Sequence, residues 1–85
     1  MPNVVLYTKS FCPYCDLAKD LLREKGAAFE EISVDGDRAA QAAMSAKAGG
    51  RSTVPQIFIG AEHVGGCDDL YALDDAGRLD ALLAA

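Results

Sequence analysis

Val4-Val5-Leu6-Tyr7-Thr8-Lys9-Ser10-Phe11-Cys12-Pro13-Tyr14-Cys15, continued by Asp16 to Gly26, is the stretch whose reading decides the fold. Val4 to Tyr7 is a short, β-branched apolar run and predicts a buried strand. Thr8 to Phe11 reads as a loop. Pro13 suits the first position of a helix, where its missing N–H has no intrahelical partner to lose. Cys12 then falls at or beside the N-cap and Cys15 within the first turn. Leu17, Ala18, Leu21 and Leu22 recur at helical spacing and predict the buried face. Lys25 and Gly26 form a helix stop.

The remaining chain extends this strand–helix start. Ala28 to Val34 predicts a second strand ending at Asp35-Gly36, with Phe29 on the opposite parity to Ile32 and Val34. Asp37 to Ala48 predicts a second helix, ended by Gly49-Gly50. Thr53-Val54-Pro55 leads into a strand over Gln56-Ile57-Phe58-Ile59. Gly60-Ala61-Glu62 turns it back into a short strand at His63-Val64, completing a hairpin. After Gly65-Gly66, Asp68 and Asp69 suit the positive end of a third helix. Its apolar face is Leu70, Leu73, Leu79, Leu82 and Leu83, with an interruption near Asp74–Gly77. The order is β-α-β-α-β-β-α. A helix between the first two strands makes them parallel, with a right-handed crossover. The hairpin makes the last two antiparallel. The expectation is an α/β fold: a four-stranded mixed sheet with helices on both faces.

Eighty-five residues predict one domain over residues 1–85. A net charge of −5, with only eight scattered Lys and Arg, excludes the clustered positive surface that a nucleic acid requires. The segment from Met1 to Tyr7 has no cationic stretch ahead of its apolar run, and no apolar run is long enough to span a bilayer. A cytoplasmic protein with no membrane association is expected. Three cysteines, two of them two residues apart, do not form a secreted disulfide framework.

Disulfide exchange needs one thiolate that attacks and a second thiol that resolves the mixed disulfide. Cys12 and Cys15 at a helix start meet both needs. Helix-terminal N–H groups and the positive dipole end favour a thiolate at the first of them, and Lys9 adds a cation. Attack is therefore assigned to Cys12 and resolution to Cys15. A four-ligand zinc site would need a second Cys or His pair. Only Cys67 and His63 remain, at the wrong spacing, so no metal site is expected and His63 is given no role beyond a structural or solvated one.

Three blocks then resemble the glutaredoxin family: Tyr7-Thr8-Lys9 leading into Cys12-Pro13-Tyr14-Cys15, then Thr53-Val54-Pro55-Gln56, then Gly65-Gly66-Cys67-Asp68-Asp69-Leu70. Their order and spacing are similar to those of the family across essentially the whole chain, and the length resembles its short bacterial members. The resemblance implies a thioredoxin fold, a monomer, and glutathione as co-substrate with no tightly bound cofactor. It also implies reduction of protein disulfides and of glutathionylated proteins. It implies a cis peptide before Pro55, where the ordinary frequency of cis at X–Pro is only about 5–6%. The implied glutathione-binding residues are Lys9, Tyr14, Thr53, Val54, Pro55, Gly66, Cys67, Asp68 and Asp69. Among them Val54 pairs strand-like with the cysteinyl part, the Asp68 and Asp69 N–H groups take the γ-glutamyl carboxylate, and the Asp69 side chain takes its amino group. Lys9 meets the glycyl carboxylate, with Arg51 and either Arg38 or Gln41 as weaker candidates there. Cys67 is read as a small, apolar lining residue.

Two other functions share these residues. One is a glutaredoxin-like electron donor reduced by thioredoxin reductase, which should lack a complete glutathione site. The other is a carrier of a glutathione-ligated iron–sulfur cluster. Family members of that kind usually have a single active-site cysteine or a smaller residue in place of Pro13.

Overall fold

The computed structural model describes residues 2–85; Met1 lies outside the described residues. The elements are β1 (Val4–Thr8), α1 (Pro13–Glu24), β2 (Glu30–Ser33), α2 (Arg38–Lys47), β3 (Gln56–Ile59), β4 (Glu62–Gly65), α3 (Cys67–Asp75) and α4 (Leu79–Ala84). The sheet order is β2-β1-β3-β4. β1 runs parallel to β2 and antiparallel to β3, and β3 runs antiparallel to β4. This is the mixed four-stranded sheet that the sequence predicts.

Strand side chains alternate between two faces, and each face has its own apolar cluster. Val4 and Leu6 of β1 with Ile57 and Ile59 of β3 join Ala18, Leu21 and Leu22 of α1, Leu70 of α3, and Leu79 and Leu83 of α4. On the other face Tyr7, Val34 and Met44 of α2 form a smaller cluster, with Val5, Ile32 and Phe58 packed against it. The irregular parity around β2 follows from this two-sided burial. Phe29 packs with the α1 face and Ile32 and Val34 with the α2 face.

Leu17, expected in the buried face of α1, is 46% exposed. Cys15, Ala18, Leu21 and Leu22 make that face instead. The last helix is two helices, so the order gains a final element. Gly77, at φ +71, turns the chain left-handed after Ala76. The Gly77 N–H then donates to the Asp74 carbonyl at 2.9 Å and the Arg78 N–H to Leu73 at 2.9 Å, closing the end of α3.

Polar contacts set the helices against this frame. Thr8, buried at the end of β1, donates its hydroxyl to Glu31 of β2 at 2.7 Å, and Lys19 of α1 reaches the same oxygen at 3.1 Å. The Thr8 hydroxyl, then Lys19, hold the Glu31 carboxyl below its ordinary range, and Glu31 in turn raises Lys19. At the far end of α1, Lys25 spans Asp74 at 2.6 Å and Asp80 at 3.0 Å, joining three helices. Solvated bridges of this kind orient elements more than they stabilise them.

Met44 is the fully buried side chain by which α2 is anchored. Met44→Ala should lower stability by about 2–5 kcal/mol, measured by urea denaturation. Amide exchange should accelerate first in α2 while α1 stays protected, because the two clusters lie on opposite faces. Equal acceleration in both helices would show that the clusters open as one unit.

Candidate active site

Cys12 caps its own helix. Its backbone is extended (φ −115°, ψ 98°), and its sulfur accepts the Cys15 N–H at 3.2 Å, with Pro13 at the first helical position. This is the N-cap arrangement usually supplied by a side-chain oxygen. Cys12 is partly exposed and Cys15 is 1% exposed. The two sulfurs are therefore unequal in access as well as in position. The Cys15 thiol is pushed up to about 12, first by burial, then by its hydrogen bond to Cys12; the Cys12 charge adds to this, while the Lys9 backbone and Lys19 act the other way. All three cysteines are free thiols.

The second wall is the loop into β3. The Val54–Pro55 peptide is cis, as the resemblance implies. The Cys12 thiol points to the Val54 carbonyl oxygen at 4.0 Å, a long contact even for sulfur. Gln56, with no exposed surface, folds back along this loop. Its Nε2 donates to the Thr53 carbonyl at 3.0 Å and lies 3.3 Å from the Thr53 hydroxyl. A carbonyl can only accept, so the amide nitrogen faces Thr53 and Oε1 faces His63 Nε2 at 2.8 Å. That oxygen requires the proton on Nε2. His63 also stacks on Phe58, with centroids 4.8 Å apart. His63 thus has the structural role that the sequence left open. Gln56 was not singled out as a site residue. The available signal was a lone carboxamide in an apolar strand, which must find partners when buried.

The third wall is the start of α3. The Asp69 carboxylate accepts the Gly66 N–H at 2.8 Å and meets Arg51 Nη1 at 3.1 Å. The Gly66 N–H, then Arg51, hold the Asp69 carboxyl below its ordinary range. Gly65 is required here twice over. Its φ is +114°, and a Cβ would strike the Asp69 carboxylate and stand 2.7 Å from Arg51 Nη1. Cys67 is buried beneath this turn; burial, then Asp68 and Cys12, raise its thiol.

These walls enclose a cleft of about 160 Å³ that gathers nearly all the candidate binding residues: Tyr14, Thr53, Val54, Pro55, Gly66, Cys67, Asp68 and Asp69, with Arg51 among them. Lys9 does not line it. Lys9 is exposed on the loop before Cys12; hydrogen bonds from Ser10, and then the Lys9 charge, lower the Asp35 carboxyl. Gln41 approaches from α2, donating to the Ser52 carbonyl at 3.0 Å, while its own Oε1 is buried without a partner. Arg38 is exposed at the start of α2. A larger cleft of about 760 Å³ lies between β4, α3 and α4, but no cysteine lines it. Size alone does not locate the chemistry. Among the described residues no three His, Cys, Asp or Glu side chains group as metal ligands, and no helix is long and apolar enough to cross a membrane.

Comparison with known proteins matches this geometry to a family. The family model "Glutaredoxin" matches residues 4–64. The chain is 59% identical to Glutaredoxin of Pseudomonas aeruginosa over 85 residues, all of both chains. It is 59% identical to Glutaredoxin 3 of Escherichia coli K12 over 83 residues, 98% of this chain and 99% of that one. A crystal structure of a buckwheat glutaredoxin–glutathione complex superimposes with a TM-score of 0.88 at 35% identity, covering 98% of this chain and 77% of that one. A half-open cysteine that caps its helix, a buried partner three residues on and a cis-proline wall are thus found in a chain matched by family model, relatives and fold, and the protein belongs to the glutaredoxin family of thiol–disulfide oxidoreductases.

Proposed function

We propose that this protein uses glutathione to reduce protein disulfides and glutathione mixed disulfides through a Cys12 thiolate, with Cys15 resolving. The observation that carries the reading is the inequality of the two thiols beside one small cleft. Cys12 is reachable and accepts a backbone N–H, whereas Cys15 is buried and held protonated.

In the dithiol route, Cys12 attacks one sulfur of the target disulfide and the other sulfur leaves as a thiolate. Cys15 then attacks the Cys12 sulfur, releasing the second target thiol and leaving a Cys12–Cys15 disulfide. One glutathione thiolate opens that bond to a Cys12–glutathione mixed disulfide. A second glutathione removes the first as glutathione disulfide, so two electrons pass from two glutathiones to one target bond. With a glutathionylated target, the mixed disulfide forms directly. The environment of Cys15 supports this order. Its hydrogen bond to Cys12 and the Cys12 charge both raise it, and both vanish once Cys12 is bonded to a substrate sulfur. Burial, the largest cause, remains, so attack eases the hold on the Cys15 proton without removing it.

The cleft supports glutathione as reductant. The Val54 backbone, just ahead of β3, offers strand-like pairing to the cysteinyl unit. The first-turn N–H groups of Cys67, Asp68 and Asp69 have no intrahelical partners and suit the γ-glutamyl carboxylate. Asp69 has an oxygen beyond the one used on Gly66 and Arg51, free for the amino group. Tyr14, Thr53, Pro55 and Gly66 shape the walls. Lys9 and Gln41 are assigned to the glycyl carboxylate, Gln41 from its place beside the Ser52 carbonyl.

Cys12→Ser should abolish turnover of a cysteamine–glutathione mixed disulfide in a glutathione-coupled assay. Cys15→Ser should retain that activity yet fail on an intramolecular protein disulfide. Survival of activity in Cys12→Ser would overturn the assignment, and failure of glutathione to reduce the oxidised enzyme would favour a thioredoxin-reductase-fed donor.

Brief iodoacetamide treatment of the reduced enzyme should label Cys12 alone, because Cys15 and Cys67 are buried and burial raises both thiols. Raising the pH toward 12 should bring in Cys15. Peptide mass analysis reads the sites, and labelling of Cys15 as fast as Cys12 would contradict the proposed division of roles.

A further inference from the structure

Among the described residues, the large hydrophobic side chains that are exposed are Phe11, Tyr14 and Leu17, at 103%, 60% and 46%. All three fall within the seven positions 11–17, which include Cys12. Tyr14 and Leu17 stand three apart on α1 and share one helical face. Phe11 immediately precedes the nucleophile and packs on nothing, yet it holds φ +54°, a left-handed conformation that a bulky residue adopts at a cost. Neither burial nor backbone preference accounts for a phenylalanine there. Tyr14 lines the small cleft, but Phe11 and Leu17 do not. Exposed apolar side chains are therefore present near Cys12 outside that cleft.

We propose that Phe11 and Leu17 form a docking surface for the polypeptide that carries the target disulfide, selecting an apolar side chain within one or two residues of the attacked cysteine. The occupant follows from the reaction, and the inference rests on Cys12 being the attacking sulfur. A disulfide holds the two Cα atoms roughly 4.4–6.8 Å apart, and each further residue of an extended substrate moves at most about 3.6 Å. The residues flanking a substrate cysteine bonded to Cys12 therefore lie within reach of its sequence neighbour Phe11. The cysteine of glutathione, when bonded to Cys12, is flanked only by a γ-glutamyl and a glycyl unit, neither of which has an apolar side chain. The surface is thus specific to polypeptide targets and separate from glutathione recognition.

The test compares two synthetic peptides, each closed by one disulfide, with leucine or glycine beside the attacked cysteine. Reduction is followed in a single turnover by enzyme pre-reduced with dithiothreitol and freed of it, so that glutathione takes no part. Wild-type enzyme should react about tenfold faster with the leucine peptide, a preference equal to about 1.4 kcal/mol. Phe11→Gly and Leu17→Ser should each lose most of that preference. Both should keep the wild-type rate on cysteamine–glutathione mixed disulfide within about twofold, since neither side chain lines the cleft. Because Phe11 is fully exposed and left-handed, Phe11→Gly should not lower Tm, which separates lost docking from lost folding. Equal rates for the two peptides with wild type, or a preference that survives Phe11→Gly, would overturn the proposal. So would an equal fall on the small mixed disulfide. A preserved peptide preference in an enzyme that glutathione cannot reduce would support the docking surface and count against the glutathione reading alone.

Discussion

The Cys15 N–H donates to the Cys12 sulfur at 3.2 Å, and the rest of the site is arranged around that bond. A helix start needs an acceptor for its first free N–H groups, and here the acceptor is the sulfur proposed as the nucleophile. Capping the helix and presenting the sulfur are one structural act. Pro13 makes this possible by occupying the first helical position, where it forfeits no hydrogen bond. The same turn carries Cys15 inward, beneath Cys12, where burial keeps it protonated. The two sulfurs proposed for attack and resolution are thereby two intervening residues apart and unequal in solvent access.

A cap of this kind works only if its helix is fixed to the sheet, and that fixing explains the polar ring around α1. Leu21 and Leu22 bury its apolar side, but apolar burial is non-directional. Direction comes from the bonds at its edges. Lys19 meets Glu31 and, through it, the Thr8 hydroxyl at the end of β1. Tyr71 of α3 donates to the Leu17 carbonyl at 3.2 Å. These contacts pin the strand, the helix and its neighbour within one turn or two of the cysteines.

Most of the architecture was legible because the chain obeys simple periods. The strand Val4–Thr8, the proline-opened helix and the hairpin after Pro55 each carry local signals that agree with the fold. Where the sequence misled, the cause was three-dimensional. Leu17 fits the apolar stripe of α1 by spacing, but the stripe is wider than the surface available to cover it, so Leu17 faces outward beside Tyr14. The role of Gln56 depends on His63, seven residues away on the partner strand, and on a loop that folds back on itself; no local pattern encodes that meeting. Arg51 was a weak candidate for the glycyl end of glutathione, yet the structure sets it against Asp69 and the Gly65-Gly66 turn. The cis peptide before Pro55 was an expectation of the family resemblance and not of the residues alone.

The two loop walls of the cleft are held by opposite means, and the difference bears on what each can do. The Thr53–Val54 wall is fixed from inside. A carboxamide without exposed surface grips Thr53, and a stacked imidazole grips the carboxamide. Gln56 Oε1 accepts from His63 Nε2, so this hold is made of hydrogen bonds and not of an ion pair. The Gly66 wall is fixed at the surface by charge. Asp69 divides one oxygen between a backbone N–H and Arg51, and the Arg51 and Asp69 side chains are close to half-exposed. Its carboxyl lies below its ordinary range, so the hold is full above the unfolded carboxyl range and weakens only as pH falls through the lowered folded value. A rigid wall suits strand-like pairing, which requires a backbone already in position. A charged, solvated wall suits a zwitterionic ligand end, whose carboxylate and ammonium can be exchanged against groups that are already paired.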